Sequence, residues 1–197
     1  FDYGHYHPSA FLFAAVDSKG RLLIVSEYER AGLEPPDHIP FLKKCELESG
    51  ISHLDSRNVA DWNLNSPIRA KSGDLVRDEY RKLSWRFSPA IKTYRSIMRI
   101  KEFFRIDPVF GPMVRIHRRC RGLIRQLFRA AWDEKKPEHV MKFPGKDDLY
   151  DTFAYVVMEA PRPRPSVDQA ALAPGTWAHF MKAQRTGMAP RIFERDG

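Results

Sequence analysis

The chain has 197 residues, 43% hydrophobic and 29% charged, which suits one soluble globular domain, or a domain with a tail, long enough to bury a sizeable core. No apolar run approaches the roughly 18 residues of a membrane span. The opening residues lack the basic segment of a secretory signal; this abrupt start in a strand-like segment is expected of a fragment with a preceding domain removed. The formal net charge of +8 favours association with polyanions, nucleic acid above all. Cys45 and Cys120 lie far apart without metal-ligand spacing and read as buried thiols of a reducing compartment.

In chain order, Asp2 ends a first strand and Gly4 lets the chain turn. Residues 10–16 (AFLFAAV) are apolar enough for a strand buried on both faces. Asp17, Ser18, Lys19 and Gly20 form a turn, and residues 21–29 (RLLIVSEYE) read as the returning strand, so a three-stranded meander is expected. Residues 37–49 are predicted helical, with Asp37 near the cap and Gly50 as the stop. Residues 50–54 are a short strand candidate ending on Asp55, and 56–72 are polar and irregular. Helices follow at 74–83 and 90–106; in the second, Ile91, Tyr94, Ile97, Met98 and Phe104 fall on one stripe. A strand is predicted at 113–117, then an amphipathic helix at 118–132 with Leu123, Ile124, Leu127, Phe128 and Ala131 at the helical period. The last strong helix spans 147–159. Pro161, Pro163 and Pro165 alternate with Arg162 and Arg164 in a stiff linker. This divides a domain at 1–160 from a linker and tail at 161–197, with a weak helix around 177–184.

Two acidic signatures stand at opposite ends of this domain. Asp2 is a strand-end carboxylate that can face a cleft at the sheet edge, although aspartate and glycine are also ordinary turn residues. Asp147, Asp148 and Asp151 open the last helix, where the helix dipole alone favours acids. Asp147 and Asp151 share a face, whereas Asp148 is rotated from Asp147 by roughly 100°. One or two of these are expected to reach a site while the rest cap or brace. Asp55 is a third candidate, with a solvated turn as its alternative. Converging carboxylates repel one another, and sharing divalent cations offsets that repulsion. On so basic a chain, a carboxylate-held metal pair points to a phosphodiester substrate. The histidines show neither HxxxH nor HExxH spacing, which disfavours zinc; oxygen ligands favour magnesium or manganese. No GxxxxGK[ST] phosphate loop occurs.

The basic surplus concentrates between Lys92 and Lys136, where arginine far outnumbers lysine. Part of such a run is always a solvated helix face. Guanidinium groups bind phosphate oxygens in a fork, however, which makes Arg118, Arg119, Arg121 and Arg125 candidate DNA contacts.

The strand-end Asp-x-Gly with a nearby Pro8-Ser9-Ala10, the strand pair joined by Asp-x-x-Gly, and Val25-Ser26-Glu27-Tyr28 resemble the C-terminal nuclease domain of the large terminase subunit of tailed bacteriophages. So do Arg118-Arg119-Cys120-Arg121-Gly122-Leu123-Ile124 and Asp147-Asp148-Leu149-Tyr150-Asp151-Thr152-Phe153-Ala154-Tyr155, the latter similar to the family's Asp-His-x-x-Asp-Ala-x-Arg-Tyr segment. The resemblance implies an α/β, RNase H-like mixed sheet flanked by helices, in which the first strand is central and the fourth lies beside it. It implies an endonuclease that cuts concatemeric double-stranded viral DNA during genome packaging with two divalent ions, Mg2+ or Mn2+. Asp2, Asp55, Asp147 and Asp148 are then the catalytic and metal-binding candidates. Asp148 occupies the family's histidine position, so which of the adjacent pair binds metal stays open. The implied partners are DNA, a packaging ATPase domain of the same polypeptide, a portal and a small terminase subunit, in the host cell cytoplasm. The alternatives are another RNase H-like nuclease of resolvase or transposase type, and a non-catalytic DNA-binding or portal-docking module.

Overall fold

Strand β1 (Ser9–Val16) turns through Gly20, in the left-handed region at φ 77°, into β2 (Leu22–Arg30), the antiparallel hairpin that the apolar runs predict. This is a computed structural model that describes residues 1–4, 7–65, 75–90, 95–107, 110–132, 140–141 and 147–162. The expected linker from Pro163 onward, the tail with its helix at 177–184, and residues 91–94 of the expected third helix lie outside the described residues.

The remaining elements are α1 (Pro35–Ser49), β3 (Val59–Ala60), a 3-10 turn at Trp62–Asn65, α2 (Val76–Lys82), β4 (Ser88–Pro89) and α3 (Arg95–Phe104). They continue with β5 (Ile106–Asp107), β6 (Gly111–Pro112), β7 (Val114–Ile116), α4 (Arg121–Arg129), β8 (Ala131–Trp132), β9 (Val140–Met141) and α5 (Asp148–Glu159). Strand β7 pairs with β2 in parallel, and β3 with β4 in parallel. Residues 1–3 join these two sheets into one. Asp2 and Ala10 exchange both backbone hydrogen bonds, at 2.9 and 2.8 Å, as an antiparallel pair. On the other side, the Phe1 amine donates to the Val59 carbonyl and the Asp61 N–H donates to the Phe1 carbonyl, each at 3.0 Å, the slanted pattern of a parallel pair. The strand order is therefore β7, β2, β1, residues 1–3, β3, β4.

Helices cover both faces, as expected of a mixed α/β sheet. Ala10, Leu22, Ile24 and Val114 pack with Ile100, Phe103, Leu123, Leu149, Phe153 and Val157 beneath α3, α4 and α5. Phe1, Phe11, Phe13 and Tyr28 pack with Leu42, Val76, Tyr80 and Trp85 beneath α1 and α2. A bulge in β2 sets which face each half of the strand serves. Phe13 pairs with Ser26 and Ala14 with Ile24, so Val25 has no opposite number. Leu22 and Ile24 consequently face α3–α5, whereas Tyr28 faces α1 and α2. Glu27 and Glu29 are thereby sent to the α4–α5 side.

Several sequence expectations are corrected. Residues 50–58 form bends and loop rather than a strand; the strand beside the N-terminal segment is Val59–Ala60. Helix α3 buries Ser96, Ile100 and Phe103, because its packing against α5 selects that face, and leaves Met98 and Phe104 exposed. Helix α4 is shorter than expected and buries Leu123 and the polar Gln126, while Phe128 is 89% exposed. Cys45 and Cys120 are buried thiols, as expected.

Candidate active site

Three strands bring acidic residues to one row of the sheet. Asp2 pairs with Ala10, and Ala10 pairs with Glu29. Opposite neighbours across a sheet share a face, so Asp2 and Glu29 both face α5, about 10 Å apart across two strand spacings. The Asp61 N–H bond to the Phe1 carbonyl sets Asp61 beside Asp2 on the same face.

The start of α5 crosses this row. The fully buried Thr152 donates its hydroxyl to the Asp148 carbonyl at 2.8 Å and lies 3.3 Å from the Ala10 carbonyl oxygen. One turn farther on, the fully buried Tyr155 faces the Asp61 carboxylate. Its phenol is pushed above the usual range first by burial, then by Asp2, Asp61 and Asp151. Asp2, Asp61 and Asp151, from three separate segments of the chain, thus all act on one hydroxyl group.

Asp148 is half-buried, and its Oδ2 has no hydrogen-bond partner among the described residues. Burial foremost, and then Asp147, hold its carboxyl above the usual range; Asp151 adds to the effect, while its own backbone N–H and His7 oppose it. Glu29 is raised in the same way by burial, with a Gln126 hydrogen bond opposing and Asp148 and Glu27 adding. A cation placed among these groups would offset both the burial and the mutual repulsion of their charges. The donors are all carboxylate oxygens, the chemistry of magnesium and manganese sites. As the side chains stand, no three His, Cys, Asp or Glu residues among the described residues are grouped closely enough to hold one ion.

The sequence candidates divide accordingly. Asp2 lies in the row beside Asp61, and Asp148 lies where α5 crosses that row, with Asp147 at the N-cap of α5. Asp55 does not: it is exposed in the loop that replaces the expected strand, six residues before the strand-end acid Asp61. Sequence reading missed Asp61 because a two-residue strand carries no alternation to reveal it. It also missed Glu29, since a bulge cannot be read from hydrophobic period.

Arg118, Arg119, Arg121 and Arg125 are all exposed. Arg125 acts on Glu29, which places it nearest the acids, whereas Arg119 leans toward Glu48 at 3.4 Å and His117 at 3.1 Å. Arg99, part of the same basic run, is structural: its guanidinium donates to the Ala160 and Val157 carbonyls, at 2.6 and 3.3 Å, at the end of α5.

No protein-family model and no curated protein sequence matches this chain. Solved structures do. The large terminase of a thermophilic bacteriophage, with bound ADP, superposes with a TM-score of 0.59 at 18% identity, covering 80% of this chain and 38% of that one. The nuclease domain of the P22 large terminase superposes with a TM-score of 0.55 at 15% identity, covering 82% of this chain and 80% of that domain. The chain therefore spans less than two-fifths of the first protein and about four-fifths of the second. Sheet order, helix placement and these superpositions agree: the chain has the RNase H-like fold of large-terminase nuclease domains.

Proposed function

We propose that the chain is a divalent-ion-dependent endonuclease that cleaves double-stranded DNA, the nuclease part of a viral genome-packaging terminase. The observation that carries this reading is the convergence of Asp2, Asp61, Asp148 and Asp151 at the start of α5, on a fold shared with terminase nucleases. A turn aspartate or a dipole-favoured helix start would not produce it, because neither needs carboxylates from three separate elements.

Asp2 and Asp61 from the row, with Asp148 from the start of α5, would hold the ions, two of them by the chemistry of phosphodiester hydrolysis. Asp148 is taken as the helix ligand because burial and the neighbouring acids hold its carboxyl above the usual range. Bound Mg2+ or Mn2+ would supply Lewis acidity toward the phosphate and lower the pKa of a coordinated water. Tyr155 and the buried Asp151 brace Asp61 and the helix start. Arg118, Arg121 and Arg125 would hold the duplex through its phosphates, giving affinity with little sequence preference. The working assembly would include a packaging ATPase domain of the same polypeptide, a small terminase subunit and a portal, acting in the host cell cytoplasm. No described helix is long and apolar enough to cross a membrane.

Incubating the purified chain with supercoiled plasmid and manganese tests the reading. Nicking and linearisation that EDTA and Asp2→Asn both abolish are expected. A folded protein that binds DNA but leaves the plasmid intact would instead be a non-catalytic DNA-binding module.

A further inference from the structure

Helix α5 begins with acids, yet the first of them does not perform the usual task of an N-cap acid. An N-cap aspartate ordinarily accepts the N–H of the second or third helical residue. The N-cap residue Asp147 makes no such side-chain bond. The N–H in question, that of Tyr150, donates instead to Gln126 Oε1 on α4, at 2.8 Å.

The Gln126 amide is held from its other end as well. Its Nε2 donates to Glu29 Oε1 at 2.9 Å. A carboxylate accepts and cannot donate at neutral pH, so Glu29 claims the NH2 group and turns the amide oxygen toward α5. Gln126 is 8% exposed, which leaves little room for another orientation. Glu29, Gln126 and the Tyr150 N–H thus form a relay from the Asp2 row of the sheet to the first turn of α5.

We infer that Gln126 is a positioning residue: it caps α5 from a neighbouring helix and so fixes the first turn, and with it Asp148, against the acidic row of the sheet. The inference rests on the nuclease reading above. A cap supplied within α5 would come from Asp147 and would tie the first turn only to its own helix. By taking the cap from α4, the fold ties the first turn of α5 to the Asp2 row through Gln126 and Glu29. Glu29 contributes by orienting the amide and by adding negative charge beside Asp148.

Three variants of the whole chain test this: Gln126→Leu, Gln126→Glu, and Gln126→Glu combined with Glu29→Gln. Manganese affinity is measured by calorimetry without DNA, Tyr150 amide exchange by NMR, and the manganese and DNA dependence of plasmid nicking by kinetics. Gln126→Leu should weaken manganese binding about tenfold, the scale of losing an outer-shell partner. It should also accelerate Tyr150 exchange relative to later α5 amides, with the KM for DNA unchanged. Gln126→Glu alone sets two carboxylates against each other and should also weaken manganese binding. The double variant exchanges amide and carboxylate, restores both hydrogen bonds, and should return manganese affinity to within about twofold of wild type. A folded Gln126→Leu protein with wild-type manganese affinity and Tyr150 protection overturns the inference, as does a double variant no better than Gln126→Glu. Either result leaves the nuclease reading standing. A wild-type chain that neither binds manganese nor cuts DNA overturns that reading, and this inference with it.

Discussion

Asp61 is tied to Phe1 by a 3.0 Å backbone hydrogen bond, and that parallel pairing sets Asp61 opposite Asp2 on the face under α5. The strand beside the N-terminal segment thus runs into Asp61, whereas Asp55 lies in the loop before it, so we propose Asp61 as the middle acid. Asp61→Asn should lower manganese-dependent plasmid nicking by at least about a hundredfold, on the scale of losing a ligand that acts in the transition state. Asp55→Asn should cut like wild type. Initial nicking rates decide between them, and the opposite ranking would return the site to the exposed loop.

Arginines of the same basic run should separate by role. Arg121→Ala with Arg125→Ala should weaken binding alike to unrelated duplexes and reduce the slope of log affinity against log salt by about two. Arg99→Ala should leave that slope unchanged and lower the melting temperature, because it removes the donor to the last carbonyls of α5. Fluorescence anisotropy across a salt series and a thermal melt provide the comparison.

Gly122 is a point of close approach. A Cβ there would lie 2.7 Å from Leu149 Cδ1 and 3.1 Å from Glu27 Oε1. Glu27 Oε1 and Oε2 accept the N–H groups of Gly122 and Leu123, at 2.7 and 2.8 Å, and satisfy the start of α4. Gly122→Ala should cost about 1–3 kcal/mol through overpacking, read as a lower urea midpoint with an unchanged m-value. A neutral result would show that the fully buried Leu149 can move aside.

Stability should fall in mild acid on account of His38. Its ring is completely buried, and Nδ1 lies 2.7 Å from the Tyr28 hydroxyl. Burial foremost lowers its pKa to about 4 from the ordinary 6.5. The unfolded chain therefore takes up a proton that the folded chain refuses. The contribution of a neutral His38 is complete above about pH 6.5 and is lost as pH falls toward 4, by up to about 1.4 kcal/mol per unit. Relative to His38→Gln, wild type should lose stability between pH 7 and pH 5 in paired urea melts. Parallel curves would exclude His38 as the cause.

The legible parts of the sequence were those whose periodicity matches their burial. The β1–β2 hairpin, α1 with its Gly50 stop and the Asp147–Asp148 start of α5 could all be read from apolar spacing and terminal residues. Strands of two residues have no period, which concealed β3 and with it Asp61. Phe128 fits the stripe of α4 by angle alone, yet no described residue covers it, because α5 meets the side of that helix bearing Leu123 and Gln126. Glu29 reaches the acids only because one unpaired residue shifts the parity of its strand, and Gln126 gave no sign, since a buried glutamine looks in sequence like any surface glutamine.

That shift of parity at Val25 makes β2 two half-strands with opposite allegiances. Deleting Val25 removes the surplus residue and should leave Tyr28 opposite Phe11 and Glu29 opposite Ala10. Adding one residue between Ser26 and Glu27 would instead slip everything beyond it by one place. Tyr28 would turn away from His38 toward the acids, and Glu27 and Glu29 would enter the aromatic layer under α1. Both the start of α4 and the amide that caps α5 would lose their carboxylates at once. Insertions should accordingly be tolerated in the Asp17–Gly20 turn and rejected between Ser26 and Glu29, while deletion of Val25 is accepted, a pattern that an insertion and deletion scan scored by soluble yield would expose.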